Sequence, residues 1–430
     1  MRTEKRRLRG GQLVVWRASA YHTINFAVMA RIRGPLSPDL TQKALDSLLV
    51  KHPSLSVNVL QDADGDVYQV SNPGLKVPVR IEKRAHPNHW IEETTAELGR
   101  AFDLRKDPPL RCVLLRDEDV SDVLFVCPHV LADGLATAYL VRDFLAFLGD
   151  PEADVAPIPN VPPMNALIPD FPGKGVAILR ARLKAQLLKL FLSHGQTTRS
   201  QTEVPNPVQP PYHLLPWTLS SEQTSALVAR SRAEGTTVHA ALCTAFLRAF
   251  GAFHGDGWNR KIQSPVSLRD RLTQPVGEAF GLFVNLVAFQ IDCDPECDFW
   301  DVARRIKKRF VRRTGDRQVF QSLIEADVVT RQNRDALTPQ TAAQVFMAAD
   351  HDLSISNLGR LDIPTQYGSR RLDAFYGPLL GGDPEDVVLG VVTLGGIMHL
   401  SLSFTDMKMD VSQAETIIDA AMQALLKATQ

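Results

Sequence analysis

Cysteine is scarce in this chain: Cys112, Cys127, Cys243, Cys293 and Cys297 make five in 430 residues. An odd, scattered set offers no disulfide framework and points to a reducing, intracellular setting. Cys293 and Cys297 lie close in sequence, but no second pair or nearby histidine completes a zinc site, so no metal is expected. Neither sign of charge is in surplus. Lys+Arg and Asp+Glu stand at 48 each, and a chain that neutralises phosphates needs a basic excess, so nucleic acid is not expected as a partner. No apolar run approaches the roughly 18–20 residues of a membrane span. The basic start MRTEKRRLRGGQLVVW lacks the apolar core of a signal peptide, and a cytoplasmic protein without a transmembrane segment is the expectation. Two chemical signatures are missing as well. There is no G-x-S-x-G elbow for a serine nucleophile and no glycine-rich phosphate loop for nucleotide hydrolysis.

What is there reads as two lobes. A chain of 430 residues exceeds one average domain, and two units of about 200 residues are the natural division. TINFAVMARIRG (23–34) alternates as a strand packed on one face. Ser37 and Pro38 then form the cap and first position of a helix whose apolar residues are Leu40, Ala44, Leu45, Leu48 and Leu49. Residues 54–70 read as a hairpin around Asp64-Gly65. A helix from HWIEETTAELGRAFDL, two strands around an acidic turn, and the helix GLATAYLVRDFLAFLGD complete a lobe over 1–150, the last with Leu135, Tyr139, Phe144, Leu145 and Leu148 on one broad face. A proline-rich crossing segment, 151–211, holds the basic amphipathic helix 176–195. A second lobe, 212–430, opens on HLLPWTLS and mixes helices broken at Gly235 with strand-like runs at 260–267, 282–291, 350–357 and 387–404. Strands and helices without a strict βαβ repeat predict an α+β fold around mixed or antiparallel sheets.

One stretch carries chemistry. FVCPHVLADGLATAYLVRDFL (125–145) ends an apolar strand at Pro128-His129, and a helix begins beyond Asp133-Gly134. An imidazole held at the rigid end of a strand is a candidate base, because its ordinary pKa of about 6.5 leaves it neutral near pH 7. Spacing alone leaves two roles open for Asp133: orienting the imidazole as in a triad, or shaping the loop.

His129-Val130-Leu131-Ala132-Asp133-Gly134 fits HxxxDG, and with it the chain resembles the superfamily of HxxxDG acyltransferases. That superfamily includes chloramphenicol acetyltransferase, alcohol acyltransferases, condensation domains and polyketide-associated acyltransferases. RGPLSPDLTQKALDSLLVKHPSLSVNV resembles its opening strand–helix unit, SPVSLRDRL (264–272) its second-half arginine loop, FGLFVNLVAF (280–289) its latch, and LSISNLGRLD (353–362) its Ser-Asn-x-Gly strand. The resemblance spans about residues 12 to 425. It implies two chloramphenicol acetyltransferase-like lobes, each a mixed sheet with helices, and an active site in the tunnel between them.

The resemblance also implies an activity. An acyl group passes from a CoA or carrier-protein thioester to a hydroxyl, less readily an amine, with His129 as general base and no covalent enzyme intermediate. Asp133 then turns from the substrate to pair with Arg269, with Arg271 as second choice, and Gly134 gives the tight turn before the helix. Ser356, Asn357 and Asn285 are candidates for oxyanion or substrate contacts. No cofactor is expected to be permanently bound. Leu394-Gly395-Gly396 has Met398 where a carrier attachment site needs serine, so the thioester arrives as a co-substrate. A small or lipid-like acceptor and an acyl carrier protein are the expected partners. Two departures shape the choice of acceptor. Condensation domains carry two adjacent histidines, and the first position here is Pro128; the DFGWG of plant members is missing. Both favour ester formation over a free-standing condensation domain that forms amides, or a non-catalytic scaffold that docks a carrier protein. His52 reads as a helix-end residue, and His351 and His399 as structural. The basic helix 176–195 reads as packed on the core with a solvated basic face, with contact to a membrane surface or a lipid-like chain as the alternative.

Overall fold

The computed structural model of the chain describes residues 5–195, 210–255, 260–291, 296–347, 351–382 and 384–430. Cys293 lies outside the described residues. Two six-stranded sheets organise the rest. The first runs, edge to edge, Gln366–Tyr367, Arg370–Leu380, Asn25–Arg33, Val120–Pro128, Arg111–Arg116 and Val79–Lys83. Its neighbours are antiparallel except the final pair. The second runs Val284–Gln290, Lys261–Ser267, Leu353–Arg360, Val388–Leu394, Ile397–Thr405 and Tyr212–Leu219. Here Leu353–Arg360 is parallel to both neighbours and the other pairs are antiparallel. Mixed sheets with helices on them are the α+β architecture that the alternation of strands and helices predicts. The Asp64-Gly65 hairpin joins Val57–Gln61 to Val67–Ser71, and with Lys5–Arg7 it makes a small three-stranded sheet.

The lobes do not divide cleanly at residues 150 and 212. Gln366–Tyr367 and Arg370–Leu380 leave the second half of the chain and complete the first sheet. The crossing strand pairs with Asn25–Arg33, matching Leu372 to Ile32, Phe375 to Ala30 and Leu379 to Ala27. It thereby covers an edge whose unpaired N–H and C=O groups would otherwise be exposed. Asn25–Arg33 is therefore central rather than one-faced, and it is buried on both sides. Helices Pro38–Lys51 and Gly134–Gly149 pack over one face of this sheet, while Trp90 and Leu98 of His89–Leu98, with Tyr212 and Leu214, fill the other. Gly134–Gly149 is wrapped around most of its circumference, from Ala136 and Ala138 to Phe144, Phe147 and Leu148, rather than along one broad face.

In the second lobe Val238–His254 lies between Phe299–Arg313 and Val411–Thr429. Polar caps begin these helices: the Thr237 side chain accepts from Ala240 N, and Asp298 and Asp410 serve the other two. A further layer of helices, Gly10–Ala18, Lys174–Gly195, Asp316–Gln332 and Pro339–Met347, binds the N-terminal segment to the second half.

Candidate active site

The site begins with a strand that cannot continue. Val120–Pro128 pairs along its length with Asn25–Arg33, and Pro128, which has no N–H, ends the ladder opposite Asn25. His129 N donates to Ile24 O at 3.0 Å, and Leu131 N donates back to Pro128 O at 3.1 Å, so the chain turns at once. Its own imidazole faces the same loop. His129 Nδ1 lies 3.0 Å from Ala132 O. A carbonyl oxygen only accepts, so Nδ1 carries the proton and Nε2 carries the lone pair. Nε2 makes no hydrogen bond to a described residue. Burial lowers the His129 pKa from its ordinary 6.5, and the Ala132 carbonyl and the Asp133 carboxylate oppose that shift. The buried Phe26 ring packs against the imidazole, with ring centres 5.1 Å apart.

Asp133, four residues on, faces away from this imidazole. Its Oδ1 accepts from Ala136 N at 2.8 Å and caps the helix Gly134–Gly149. Oδ2 accepts from Phe283 N at 2.8 Å, and both oxygens accept from one guanidinium nitrogen of Arg269, at 3.0 and 3.1 Å. Asp133 N donates to Gly281 O at 3.2 Å. Arg269 is itself buried and donates to Gly277 O at 2.8 Å and Ala279 O at 3.0 Å. Arg269 thus staples the loop between Leu268 and Phe283 to the motif. Arg271, the other candidate partner, instead meets the Thr314 carbonyl and Asp316. A second staple lies further along the motif helix. Arg142 holds Glu278 of that loop and also Asp143, on which Lys51 and His52 converge. His52 is thus a helix C-cap whose Nε2 lies 2.8 Å from Asp143.

Gly134 is required for space, not for a turn of unusual φ. A Cβ there would lie 2.9 Å from Leu358 Cδ2 and 2.9 Å from Pro378 Cγ. Pro378 belongs to the crossing strand, and its carbonyl oxygen would lie 2.5 Å from a Cβ at Gly390 in the second sheet. Two glycines therefore let both lobes close on one proline, directly behind the motif.

His129 and Phe346 each line two cavities. The larger, about 190 Å3, is walled by Val15, Met164, Leu282, Val284, Leu286, Leu323 and Ala326, with Gln12, Asn165, Asn285 and Ser322 as polar points. The smaller, about 40 Å3, is lined by Ile24, Tyr212, Gly381, Gly382, Asp386 and Ser403. Asn285 thus shares a chamber with His129, although its amide already donates to Ser322 Oγ at 2.7 Å and Val319 O at 3.2 Å. Ser356 and Asn357 line neither cavity. Asn357 Oδ1 instead accepts from Gly359 N at 2.7 Å, a local turn. Gln12, whose amide donates to Val130 O at 3.1 Å, is a motif contact that sequence reasoning missed. Tyr212 was missed too: it lines the smaller cavity beside His129, and its hydroxyl accepts from Gly382 N at 2.9 Å. His351, expected to be structural, lies 2.9 Å from Asp386 in the wall of the smaller cavity. His399 is buried with neither ring nitrogen bonded. No group of residues suited to a metal ion occurs among the described residues.

Comparison with known proteins places this geometry. Residues 16–151 match the condensation domain family, and residues 210–366 match the phthiocerol/phthiodiolone dimycocerosyl transferase C-terminus family. The two matches, one in each half of the chain, bear out its resemblance to the HxxxDG acyltransferases. The chain is similar in structure to a trichothecene 15-O-acetyltransferase from Fusarium sporotrichioides, with a TM-score of 0.72 at 12% identity over 100% of this chain and 96% of the other. Polyketide synthase associated protein 5 from Mycobacterium tuberculosis gives 0.65 at 16% identity over 99% of both chains. At such identities the likeness is one of fold. In sequence the chain is 23% identical over 360 residues to a chondramide synthase from Chondromyces crocatus, covering 81% of this chain and 9% of that one. It is 22% identical over 354 residues to malpibaldin synthetase from Mortierella alpina, covering 78% of this chain and 6% of that one. The chain therefore spans less than a tenth of the length of these two relatives.

Proposed function

We propose that this chain moves an acyl group from a CoA or carrier-protein thioester to a hydroxyl acceptor in natural-product or lipid biosynthesis. One observation carries the reading: a neutral imidazole, tautomer fixed by Ala132, stands in the shared wall of two cavities with Nε2 unbonded. Thioester and acceptor can then approach from different cavities and meet at one base. The acceptor hydroxyl donates to His129 Nε2 and loses its proton there as its oxygen attacks the thioester carbonyl. The Ala132 carbonyl holds the Nδ1 proton throughout and favours the imidazolium that forms. When the tetrahedral adduct collapses, the C–S bond breaks and the Nε2 proton passes to the departing thiolate. No covalent enzyme intermediate is needed.

Asp133 and Arg269 act through architecture, since their side-chain hydrogen bonds run to each other, to the motif helix and to the loop from Leu268 to Phe283. Asn285 is the candidate substrate contact in the larger chamber. Nothing in the geometry supports an oxyanion role for Ser356 or Asn357. Mass spectrometry of products from a panel of acyl thioesters and alcohols tests the reading. Product from the native chain and none from His129→Ala is expected; full activity in that variant would end it.

Amide formation is the second reading, because residues 16–151 match the condensation domain family. Competition between alcohol and amine acceptors separates the two. Ester product supports a hydroxyl acceptor, and exclusive amide product reverses the order.

A further inference from the structure

The helix Lys174–Gly195 faces the opposite way from the sequence expectation. Its small residues point inward: Ala177, Ala181 and Ala185 are buried. It packs along Asp316–Gln332 and is tied there by Asn333 Nδ2, which donates to Ala185 O at 3.1 Å. Four of its large apolar residues point outward. Val176, Leu179, Leu183 and Leu187 are 51%, 57%, 53% and 68% exposed. Their spacing of three, four and four residues puts them on a single stripe. Scattered exposed leucines need no explanation, but a contiguous stripe marks an interaction surface.

Charge identifies the partner. The helix carries Lys174, Arg180, Arg182, Lys184 and Lys189 and no acidic residue. At about 100° per residue, Arg180 and Lys184 flank the stripe on one side and Arg182 and Lys189 on the other. Lys184 pairs with Glu325, whereas Arg180, Arg182 and Lys189 make no ion pair among the described residues. Apolar residues between two cationic shoulders suit the boundary of a bilayer, with side chains in the acyl region and cations among the phosphates. A symmetric contact with a second copy would instead set like charges against each other. No helix among the described residues is long and apolar enough to cross a membrane, so the contact is peripheral.

We propose that this stripe seats the protein on an anionic lipid surface. Asp316–Gln332, on which the helix lies, also supplies Ser322, Leu323 and Ala326 to the wall of the larger His129 cavity. The lipid-facing helix is thus one helix removed from that chamber. The inference does not depend on the proposed activity.

Vesicle flotation of the full chain tests it, with phosphatidylcholine alone or with about a third phosphatidylserine. Binding to the anionic vesicles that is reversed by salt is expected. A loss of at least about tenfold is expected in Leu179→Gln/Leu183→Gln/Leu187→Gln and in Arg180→Glu/Arg182→Glu, with the native circular dichroism retained. Failure of the native chain to float, or equal flotation of the leucine variant, overturns the proposal. So does a lipid-free dimer that the leucine variant converts to monomer, which would make the stripe a self-association surface.

Discussion

His129 and Asp133 stand four residues apart and live in opposite environments. The Asp133 carboxylate is buried and fully engaged, accepting from Ala136 N, Phe283 N and Arg269. His129 is half-buried, satisfied at Nδ1 and unbonded at Nε2, with a cavity on each of two sides of its loop. A saturated group is poorly placed to exchange a proton, and a group with a free lone pair beside a cavity adds little to stability. On the proposed reading, the contrast separates chemistry from architecture within one motif.

Breaking the chemical half should have the largest effect. His129→Ala is expected to lower transfer by about 10²–10⁴-fold, the usual contribution of a positioned base, with the melting temperature unchanged. Breaking the architectural half should act on folding. Asp133→Ala leaves Arg269 buried and unpaired, at an expected loss of about 3–5 kcal/mol in denaturant unfolding. Arg269→Ala should match it, and the double variant should cost less than the sum. Additive losses would show that the pair is not coupled. Gly134→Ala probes the seam behind the motif. A Cβ 2.9 Å from Leu358 and Pro378 should cost about 1–3 kcal/mol and loosen the lobes before it touches the base.

Titration sharpens the comparison with smaller effects. As the proposed base His129 must be neutral, and burial lowers its pKa below 6.5, so the acid limb of kcat/KM should fall below that pH. A limb above pH 7 would contradict it. Burial also pushes the pKa of His399 down to about 4. The unfolded chain binds its proton from near pH 6.5 while the folded chain resists until about 4, so stability present at neutral pH is lost as pH falls through that window. His399→Leu should remove that contribution, on the order of 2 kcal/mol, and flatten the acid side of the stability curve. Smallest of all, Ser356→Ala should leave transfer nearly unchanged, because Ser356 lines neither cavity beside His129.

Local signals made much of this legible in the sequence. Ser37-Pro38, the Asp64-Gly65 hairpin and the helix after Asp133-Gly134 each rest on a few neighbouring residues, and the structure places each within a residue or two of its expected position. The Asp133–Arg269 contact spans 136 residues, and only the family resemblance suggested it. What stayed hidden depends on the other lobe. RRLDAFYGPLL mixes charges with a Gly-Pro interruption, and it becomes a strand by completing an edge. Gly134 looked like a turn residue because its crowding comes from Leu358 and Pro378. The stripe on Lys174–Gly195 shows as periodicity, but the sequence does not say which side packs, and alanines were the inward choice.

The most direct measurement pairs unfolding with transfer for two variants, His129→Ala and Asp133→Asn, against the native chain on one thioester and one alcohol that it joins. Loss of product with native stability in His129→Ala, and lowered stability with measurable transfer by the folded fraction in Asp133→Asn, is the expected result. Native-like transfer in His129→Ala, or complete loss of transfer in a fully stable Asp133→Asn, contradicts the division of labour between the two residues.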